Sequence, residues 1–328
     1  MKKIRDCMLG LMMLCVMLVA SFIPVHAAGT IDPDQDVQLT ISYGKDGTVV
    51  SGAKFDIYKV ADVNAYAEMT LTKRFAEYPI QFDGLDQSGW DGLATTLKGY
   101  VWADGLASDV SGTTDTAGIM KAAVKPGLYL VLGSRQTLGE TVYTATPFML
   151  FLPEMNESQN TWDYEVIAYP KYSSESVPPT EEKVSRKVLK IWDDKKKKEK
   201  RPEAITIHLL CDGKEYDTVK LTEKNDWRYT WNDLEKNHDW LVTEDRVEGY
   251  TQEISQEGTT FTVKNTVKSS ENKKGHSGKT DTTDTPAKTV KSADTKLPQT
   301  GLLWWPVFPL LAAGLLFIVI GLVRRRNE

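Results

Sequence analysis

Short apolar runs separated by turn-forming residues fill the chain from residue 31 to residue 171, which indicates mostly β-structure. Residues 37–43 alternate apolar and polar positions, and a Gly-Lys-Asp-Gly turn follows. Residues 128–132 and 148–152 are continuous apolar runs bounded by proline or glycine, as expected of buried strands. One helix is predicted by apolar residues at helical spacing, namely Trp90, Leu93, Leu97, Tyr100 and Val101. We expect a β-sandwich on which a short helix lies.

Residues 183–268 have an all-β pattern. Strand-like segments occupy residues 188–192, 205–210 and 261–265. Two dipeptides predict hairpin turns between strands, Asp212-Gly213 and Asn225-Asp226. Short strands with turns at about every 8–12 residues are typical of an immunoglobulin-like (Ig-like) sandwich. The fold class predicted for the chain is therefore all-β, with two Ig-like β-sandwich domains in tandem.

Two changes in composition set the predicted domain boundaries. Residues 172–182 contain paired prolines with serine and glutamate, as a short stiff linker would. Residues 269–296 contain no aromatic residue and too few large aliphatic residues to bury a core. We expect a first domain at 29–171, a linker at 172–182, a second domain at 183–268, and a disordered linker at 269–296.

Both ends of the chain look like export and anchoring segments. Residues 1–28 have a basic start, an apolar stretch and a small-residue exit, which predicts a cleaved signal peptide; the alternative is an uncleaved anchor. Residues 302–323 form an apolar run long enough to span a bilayer as a helix, and Arg324 to Arg326 follow it. The alternative for this segment is a permanent single-pass anchor.

The pentapeptide Leu297, Pro298, Gln299, Thr300 and Gly301 precedes that apolar run. In this order, at the extreme C-terminus, residues 297–328 resemble the LPXTG sorting signal of Gram-positive surface proteins. The resemblance implies that a sortase cuts between Thr300 and Gly301 and passes Thr300 to an amine. It also implies a secreted protein that is covalently attached to peptidoglycan at the cell-wall surface.

Charge and cysteine content limit the possible functions further. The 328 residues carry a formal net charge of −5, which argues against a nucleic-acid partner. Cys7 and Cys15 lie within the predicted signal peptide, so Cys211 alone remains in the mature chain. An intramolecular disulfide is then impossible, although exported proteins commonly use disulfides for stability. No cysteine and histidine spacing predicts a metal site, and no motif predicts a cofactor.

Seven short segments of the second domain form a recognisable pattern, namely residues 190–194, 201–202, 212–213, 227–231, 241–244, 249–250 and 261–266. With these segments, the second domain resembles the Cna B-type domain of collagen-binding adhesins over nearly its whole length. In that family a lysine of the first strand bonds to an asparagine of the last strand, and a middle-strand glutamate assists. The resemblance therefore implies an isopeptide bond between Lys190 and Asn265, with Glu244 as the proton shuttle.

Elementary chemistry agrees with these roles. A lysine attacks a carboxamide only when its amine is neutral, and burial lowers a lysine pKa while raising a glutamate pKa. A protonated glutamate can then polarise the amide and pass a proton to the departing ammonia. The alternative is that Lys190 lies on the surface, Glu244 at a rim and Asn265 in a turn. In the first domain, residues 42–43 and 133–134 lack the expected lysine and acid, which makes a second internal bond doubtful.

Residues 162–171 (WDYEVIAYPK) resemble the pilin motif of Gram-positive pilus subunits, and residues 126–131 and 146–150 resemble pilin N-terminal domains. In that family the motif lysine attacks the sortase-bound threonine of the next subunit, which here implies a link between Lys171 and Thr300. The alternative is an ordinary strand end with an exposed lysine.

These patterns predict a structural protein with no cofactor and no enzymatic activity beyond forming its own isopeptide bond. The principal hypothesis is a pilus (fimbrial) subunit, with sortase, other pilin subunits and peptidoglycan as partners. The alternative is a monomeric wall-anchored adhesin that binds a host or matrix ligand. A surface hydrolase is disfavoured because no catalytic constellation is present.

Overall fold

The computed structural model describes residues 29–44, 47–82, 84–177, 182–194 and 201–268. The predicted signal peptide, the linker at 269–296 and the sorting signal at 297–328 lie outside these residues. None of the helices within the described ranges has the length and hydropathy needed to cross a membrane.

Domain 1 is a β-sandwich with a helix on one face, as predicted. Its strands are β1 (Val37–Ser42), β2 (Lys54–Val63), β3 (Met69–Leu71), β4 (Val110–Thr113), β5 (Ile119–Val124), β6 (Gly127–Gly133), β7 (Gln136–Leu138), β8 (Thr141–Ala145), β9 (Phe148–Leu152), β10 (Glu154–Asn156), β11 (Thr161–Asp163), β12 (Glu165–Ala168) and β13 (Tyr172–Ser176). One sheet of the sandwich has the order β12–β1–β5 and the other has the order β3–β2–β6–β9, with β4 also paired to β2. Two smaller sheets have the orders β10–β11 and β13–β8–β7.

The β3–β2–β6–β9 sheet is the middle layer of domain 1, which explains why its strands are continuously apolar. On β6, Tyr129 and Val131 face the β12–β1–β5 sheet. Leu128, Leu130 and Leu132 face the helix on the opposite side. Because neighbouring residues of a strand point to opposite faces, a strand covered on both faces needs apolar residues throughout. The prediction of buried strands at 128–132 and 148–152 is confirmed.

The predicted helix is present as α1 (Gln87–Ala103). The Asp86 carboxylate accepts a hydrogen bond from the Gly89 backbone N–H at 2.9 Å and so caps the first turn. Trp90, Leu93 and Leu97 pack into the core on the middle sheet. The opposite face of α1 packs against domain 2, so the helix is buried between the two domains.

Domain 2 is a two-sheet sandwich with sheet orders β17–β14–β20–β19 and β16–β15–β18. Its strands are β14 (Lys183–Asp193), β15 (Ala204–Cys211), β16 (Lys214–Thr222), β17 (Arg228–Glu235), β18 (Trp240–Glu244), β19 (Tyr250–Glu257) and β20 (Thr260–Val267). The first strand, β14, pairs in parallel with the last strand, β20. The two-sandwich fold class predicted from the sequence is confirmed.

Two local predictions need comment. Asp212-Gly213 forms the β15–β16 hairpin, with both residues at positive φ (48° and 82°). Asn225-Asp226 does not form a hairpin, because β16 and β17 belong to different sheets and a 3-10 turn at Glu223–Asn225 carries the chain between them. Residues 172–176 of the predicted linker form strand β13, which pairs with β8.

Candidate functional site

Lys190 lies in the interior of domain 2. It sits on β14 opposite Val263 of β20, and its inward-facing side chain is fully buried. The next residue, Ile191, faces outward and is 41% exposed, as the alternation of a strand requires. The Lys190 ammonium nitrogen lies 4.7 Å from the centre of the Trp192 ring. An amine in this position is removed from water.

Glu244 approaches Lys190 from the opposite sheet. It is the last residue of β18, and its side chain is also fully buried. The Lys190 nitrogen lies 2.7 Å from Glu244 Oε1 and 2.9 Å from Oε2. The pair therefore spans the space between the two sheets, where neither group has access to solvent.

Asn265 completes the group from β20. It lies two residues beyond Val263 on the same inward face and is 1% exposed. Its side chain hydrogen-bonds to Glu244. Since a carboxylate only accepts, the donor is the Asn265 amide nitrogen Nδ2. Its carbonyl oxygen Oδ1 has no hydrogen-bond partner among the residues that the structure describes. The sequence-predicted Lys190, Glu244 and Asn265 are thus brought together.

Burial shifts both ionisable groups of this triad toward their neutral forms. Desolvation lowers the pKa of Lys190 to about 8, although the charge of Glu244 opposes the shift. Desolvation likewise raises the pKa of Glu244, opposed by Lys190. A neutral amine beside a protonated acid and a carboxamide is the arrangement that amide exchange needs.

A buried ion pair holds Trp192 beside the triad. Arg201 Nε and one terminal nitrogen lie 2.5 and 2.9 Å from the two carboxylate oxygens of Asp194, which is 1% exposed. The Arg201 guanidinium lies 5.6 Å from the Trp192 ring centre. The sequence comparison with Cna B-type domains includes Asp194 and Arg201 but predicts no role for them. Residues 195–200, which connect Asp194 to Arg201, lie outside the described residues.

Lys171 occupies a different environment in domain 1. It follows β12, and its side chain is exposed and without an ion-pair partner among the described residues. Its backbone carbonyl accepts a hydrogen bond from the Thr146 N–H at 2.8 Å. Upstream, Trp162 packs on Phe151 and donates from Nε1 to the Gly29 carbonyl at 2.5 Å. A fixed backbone therefore presents a free amine. Its predicted partner, Thr300, and the rest of residues 297–301 lie outside the described part of the chain.

Cys211, Asp212 and His238 place three possible metal ligands within 4.8 Å of one another. His238 Nδ1 lies 2.5 Å from Asp212 Oδ2, and Nε2 lies 3.2 Å from a Glu235 oxygen. The hydrogen bond to Asp212 raises the pKa of His238, and burial raises the pKa of the Cys211 thiol. Because metals bind neutral imidazole and thiolate, these shifts disfavour a metal site.

Comparison with known proteins identifies both domains. The model of the Gram-positive pilin subunit D1, N-terminal domain, matches residues 29–173. The model of the Cna protein B-type domain matches residues 186–266. The chain is thus similar to a Gram-positive pilin D1 domain in its first part and to a Cna B-type domain in its second. The resemblances inferred from the sequence for the two domains are thereby confirmed.

Individual relatives match smaller or more distant parts. A collagen adhesin of Staphylococcus aureus is 41% identical over 83 residues, which cover 24% of this chain and 7% of the adhesin. The chain thus spans only a small part of that relative. The shaft pilin SpaA of Lactobacillus rhamnosus GG is 14% identical, with coverage of 72% of this chain and 99% of SpaA and a TM-score of 0.25. The major pilin SpaD of Corynebacterium diphtheriae is 16% identical, with coverage of 72% and 65% and a TM-score of 0.29.

Proposed function

We propose that this chain is a cell-wall-anchored pilus subunit that sortase polymerises and that an internal Lys190–Asn265 isopeptide bond stabilises. The observation that carries the proposal is the pair of contrasting lysines. Lys171 is exposed at the end of a pilin D1 domain. Lys190 is fully buried beside Glu244 in the domain that matches the Cna B-type model. One amine is available to another molecule, and the other can react only within the chain.

The link between subunits follows from the sorting pentapeptide. A sortase cysteine attacks the Thr300 carbonyl, and the peptide beginning at Gly301 leaves with a proton on its amine. The neutral Lys171 amine of a second copy then attacks the resulting thioester and releases the cysteine. Each step exchanges one acyl bond for another, so no external energy source is needed. The last copy is passed to peptidoglycan instead, which attaches the polymer to the cell surface.

The internal bond is also an acyl exchange. The Lys190 amine attacks Asn265 Cγ while the protonated Glu244 gives its proton to Nδ2, which leaves as ammonia. The resulting Glu244 carboxylate then accepts the proton that Nζ loses. The bond that forms is Nζ–Cγ, the bond that breaks is Cγ–Nδ2, and Glu244 ends in its starting state. Holding the three groups together in the folded domain replaces the concentration that a bimolecular reaction would require.

Strand pairing gives this bond a mechanical purpose. It would join β14, the first strand of domain 2, to its parallel neighbour β20, the last strand. Tension on the chain enters and leaves the domain through these strands, so the covalent bond would carry the load. By the loop-entropy argument used for disulfides, closing a loop of about 75 residues stabilises by about 4–5 kcal/mol. That would compensate for the missing disulfide.

A second candidate function is favoured by the similarity to the collagen adhesin. In this alternative the chain is a monomeric wall-anchored adhesin, and domain 1 binds a host or matrix ligand while domain 2 acts as a stalk. The similarity is confined to the Cna B-type domain. The pilin D1 domain and its exposed Lys171 favour the polymer.

Gel electrophoresis of cell-wall extracts separates the two functions. The proposal predicts a ladder of detergent-resistant bands from the wild-type chain and its loss in the Lys171→Ala variant. Lys121→Ala, an exposed lysine on β5 of the same domain, is the matched control and should keep the ladder. A single band from the wild type would contradict polymerisation and leave the monomeric adhesin.

A further inference from the structure

Domain 1 reaches the triad of domain 2 through its helix. Strand β19 is at the edge of one sheet and β18 at the edge of the other, and α1 packs against both. At Gly99 of the helix a Cβ would lie 3.4 Å from the Val242 carbonyl oxygen, so this part of α1 lies directly against β18. Helix α1 therefore closes the side of the domain 2 sandwich at which Glu244 lies.

Polar contacts fix this docking. Lys98 Nζ lies 2.7 Å from Asp239 Oδ2, and the Ile254 N–H donates to Thr96 Oγ1 at 2.7 Å. The Gln252 N–H donates to the Pro79 carbonyl at 2.7 Å. These bonds attach both edges of domain 2 to domain 1.

Gln252 is the residue that connects the docked helix to the triad. On β19 it stands directly opposite Asn265, and both side chains face inward. The Tyr100 hydroxyl donates a hydrogen bond to Gln252 Oε1. Tyr100 is itself held by its ring, which stacks on Tyr78 at 4.4 Å between centres. With Oε1 held by Tyr100, the amide nitrogen Nε2 is directed to the other side.

Among the buried side-chain atoms that have no hydrogen-bond partner within the described residues, two belong to side chains that face each other. One is the donor Nε2 of Gln252 and the other is the acceptor Oδ1 of Asn265. Directly opposed residues of an antiparallel pair have Cβ atoms about 5 Å apart, which two amide side chains can span.

We propose that Gln252 Nε2 stabilises the negative charge that develops on Asn265 Oδ1 during isopeptide formation, and that Tyr100 of the docked domain 1 positions it. This inference rests on the proposed internal bond. When Lys190 Nζ attacks Cγ, the C=O electrons move onto Oδ1; they return to re-form the carbonyl as Nδ2 leaves with its proton. A preorganised N–H donor in a dry site lowers the energy of that intermediate. Gln252 would thus add a donor on the oxygen side of the carboxamide, beside the proton transfers that Glu244 performs.

The proposal makes the reaction in domain 2 depend on a side chain of domain 1. Tyr100 lies close enough for the Glu244 charge to contribute to its raised pKa, of which burial is the main cause. Its hydroxyl therefore stays protonated and remains a donor to Gln252. The crosslink would then form fastest after both domains have folded and docked.

The test measures the rate of crosslinking in the full chain as a Gram-positive host secretes it. Pulse-labelled protein is quenched in urea at intervals, and the fraction of joined Lys190 and Asn265 peptides is measured by mass spectrometry. Gln252→Met, which keeps the length but has no donor, should slow joining by about 10²–10³-fold. Tyr100→Phe should slow it by up to about tenfold, because Gln252 loses the bond that orients it. Tyr129→Phe is the matched control, since that buried hydroxyl bonds within domain 1 to the Lys125 carbonyl at 2.6 Å.

The pH profile separates positioning from loosened packing. Because Gln252 does not titrate, Gln252→Met should lower the rate by the same factor at every medium pH. A variant that only loosened the packing and let water reach the site would shift the dependence of the joining rate on pH. The reason is that burial causes the shifted pKa values of Lys190 and Glu244. A shifted profile, or joining at the wild-type rate in Gln252→Met, would overturn the role of Gln252. A wild-type chain that never joins these peptides would overturn the internal bond and this inference together.

Discussion

The Lys190 nitrogen lies 2.7 Å from Glu244 Oε1, and both side chains have no exposed surface. Such a pair is costly to bury as ions, because each charge loses its hydration. Burial instead shifts both groups toward neutrality, which lowers the pKa of Lys190 to about 8 and raises that of Glu244. We propose that this pair is a reaction site, because forming the amide would remove the buried amine permanently.

The first prediction concerns Glu244. Glu244→Gln keeps the shape of the side chain but cannot transfer protons, so Lys190 and Asn265 should stay unjoined. Loss of the crosslink should lower the free energy of unfolding by about 4–5 kcal/mol, measured by urea denaturation. Glu253 is a partly exposed glutamate on β19, and Glu253→Gln is the control. It should change the midpoint of urea denaturation no more than an ordinary surface substitution does. Equal urea midpoints for Glu244→Gln and the wild type would contradict a stabilising bond.

The second prediction concerns pH and requires a chain that cannot crosslink, such as Asn265→Ala. There Lys190 has a pKa of about 8 when folded, against 10.5 when unfolded. Between these values the unfolded state binds more protons, so the free energy of unfolding should rise with pH. Glu244, with its raised pKa, acts oppositely: its contribution is present at acid pH and is lost as pH rises through the raised value.

Comparison with the double variant Lys190→Met/Asn265→Ala isolates the contribution of the amine. Urea denaturation above pH 8 should show the rise only in the chain that retains Lys190. The same slope in both variants would mean that Lys190 is not desolvated as described.

The third prediction concerns force. When single molecules are pulled from both ends, the segment between Lys190 and Asn265 should not extend in the wild type. In Lys190→Ala the same segment should lengthen the chain by about 250 Å, since about 75 residues extend by up to about 3.4 Å each. Lys187→Ala, an exposed lysine on the same strand, is the control and should behave like the wild type. A 250 Å extension in wild-type molecules would contradict a closed loop.

Local pattern was sufficient to predict α1 and the buried strands of domain 1. Helical spacing identified the residues that pack on the middle sheet, and continuous apolar runs identified strands covered on both faces. Tyr172–Ser176 were assigned to a linker because the strand they form is polar and largely exposed, which leaves no periodic apolar signal. The prediction of a hairpin at Asn225-Asp226 was wrong, because turn residues indicate a change of chain direction without specifying which strands are paired.

Site residues that depend on tertiary contacts were harder to predict from the sequence. Resemblance to a family provided Lys190, Glu244 and Asn265, whereas the sequence pattern gave no reason to associate Gln252 with them. Tyr100 matched the helical core spacing and does pack there, yet its hydroxyl extends to domain 2. Tyr100 and Gln252 are more than 150 positions apart in the chain, so no local sequence pattern predicts that they are in contact.

The most direct test is peptide mass spectrometry of the wild-type chain recovered from intact Gram-positive cells. The account predicts one species in which the Lys190 and Asn265 peptides are joined, with a combined mass about 17 Da (one ammonia) below their sum, as amide exchange requires. Recovery of both peptides separately and at full mass would contradict it.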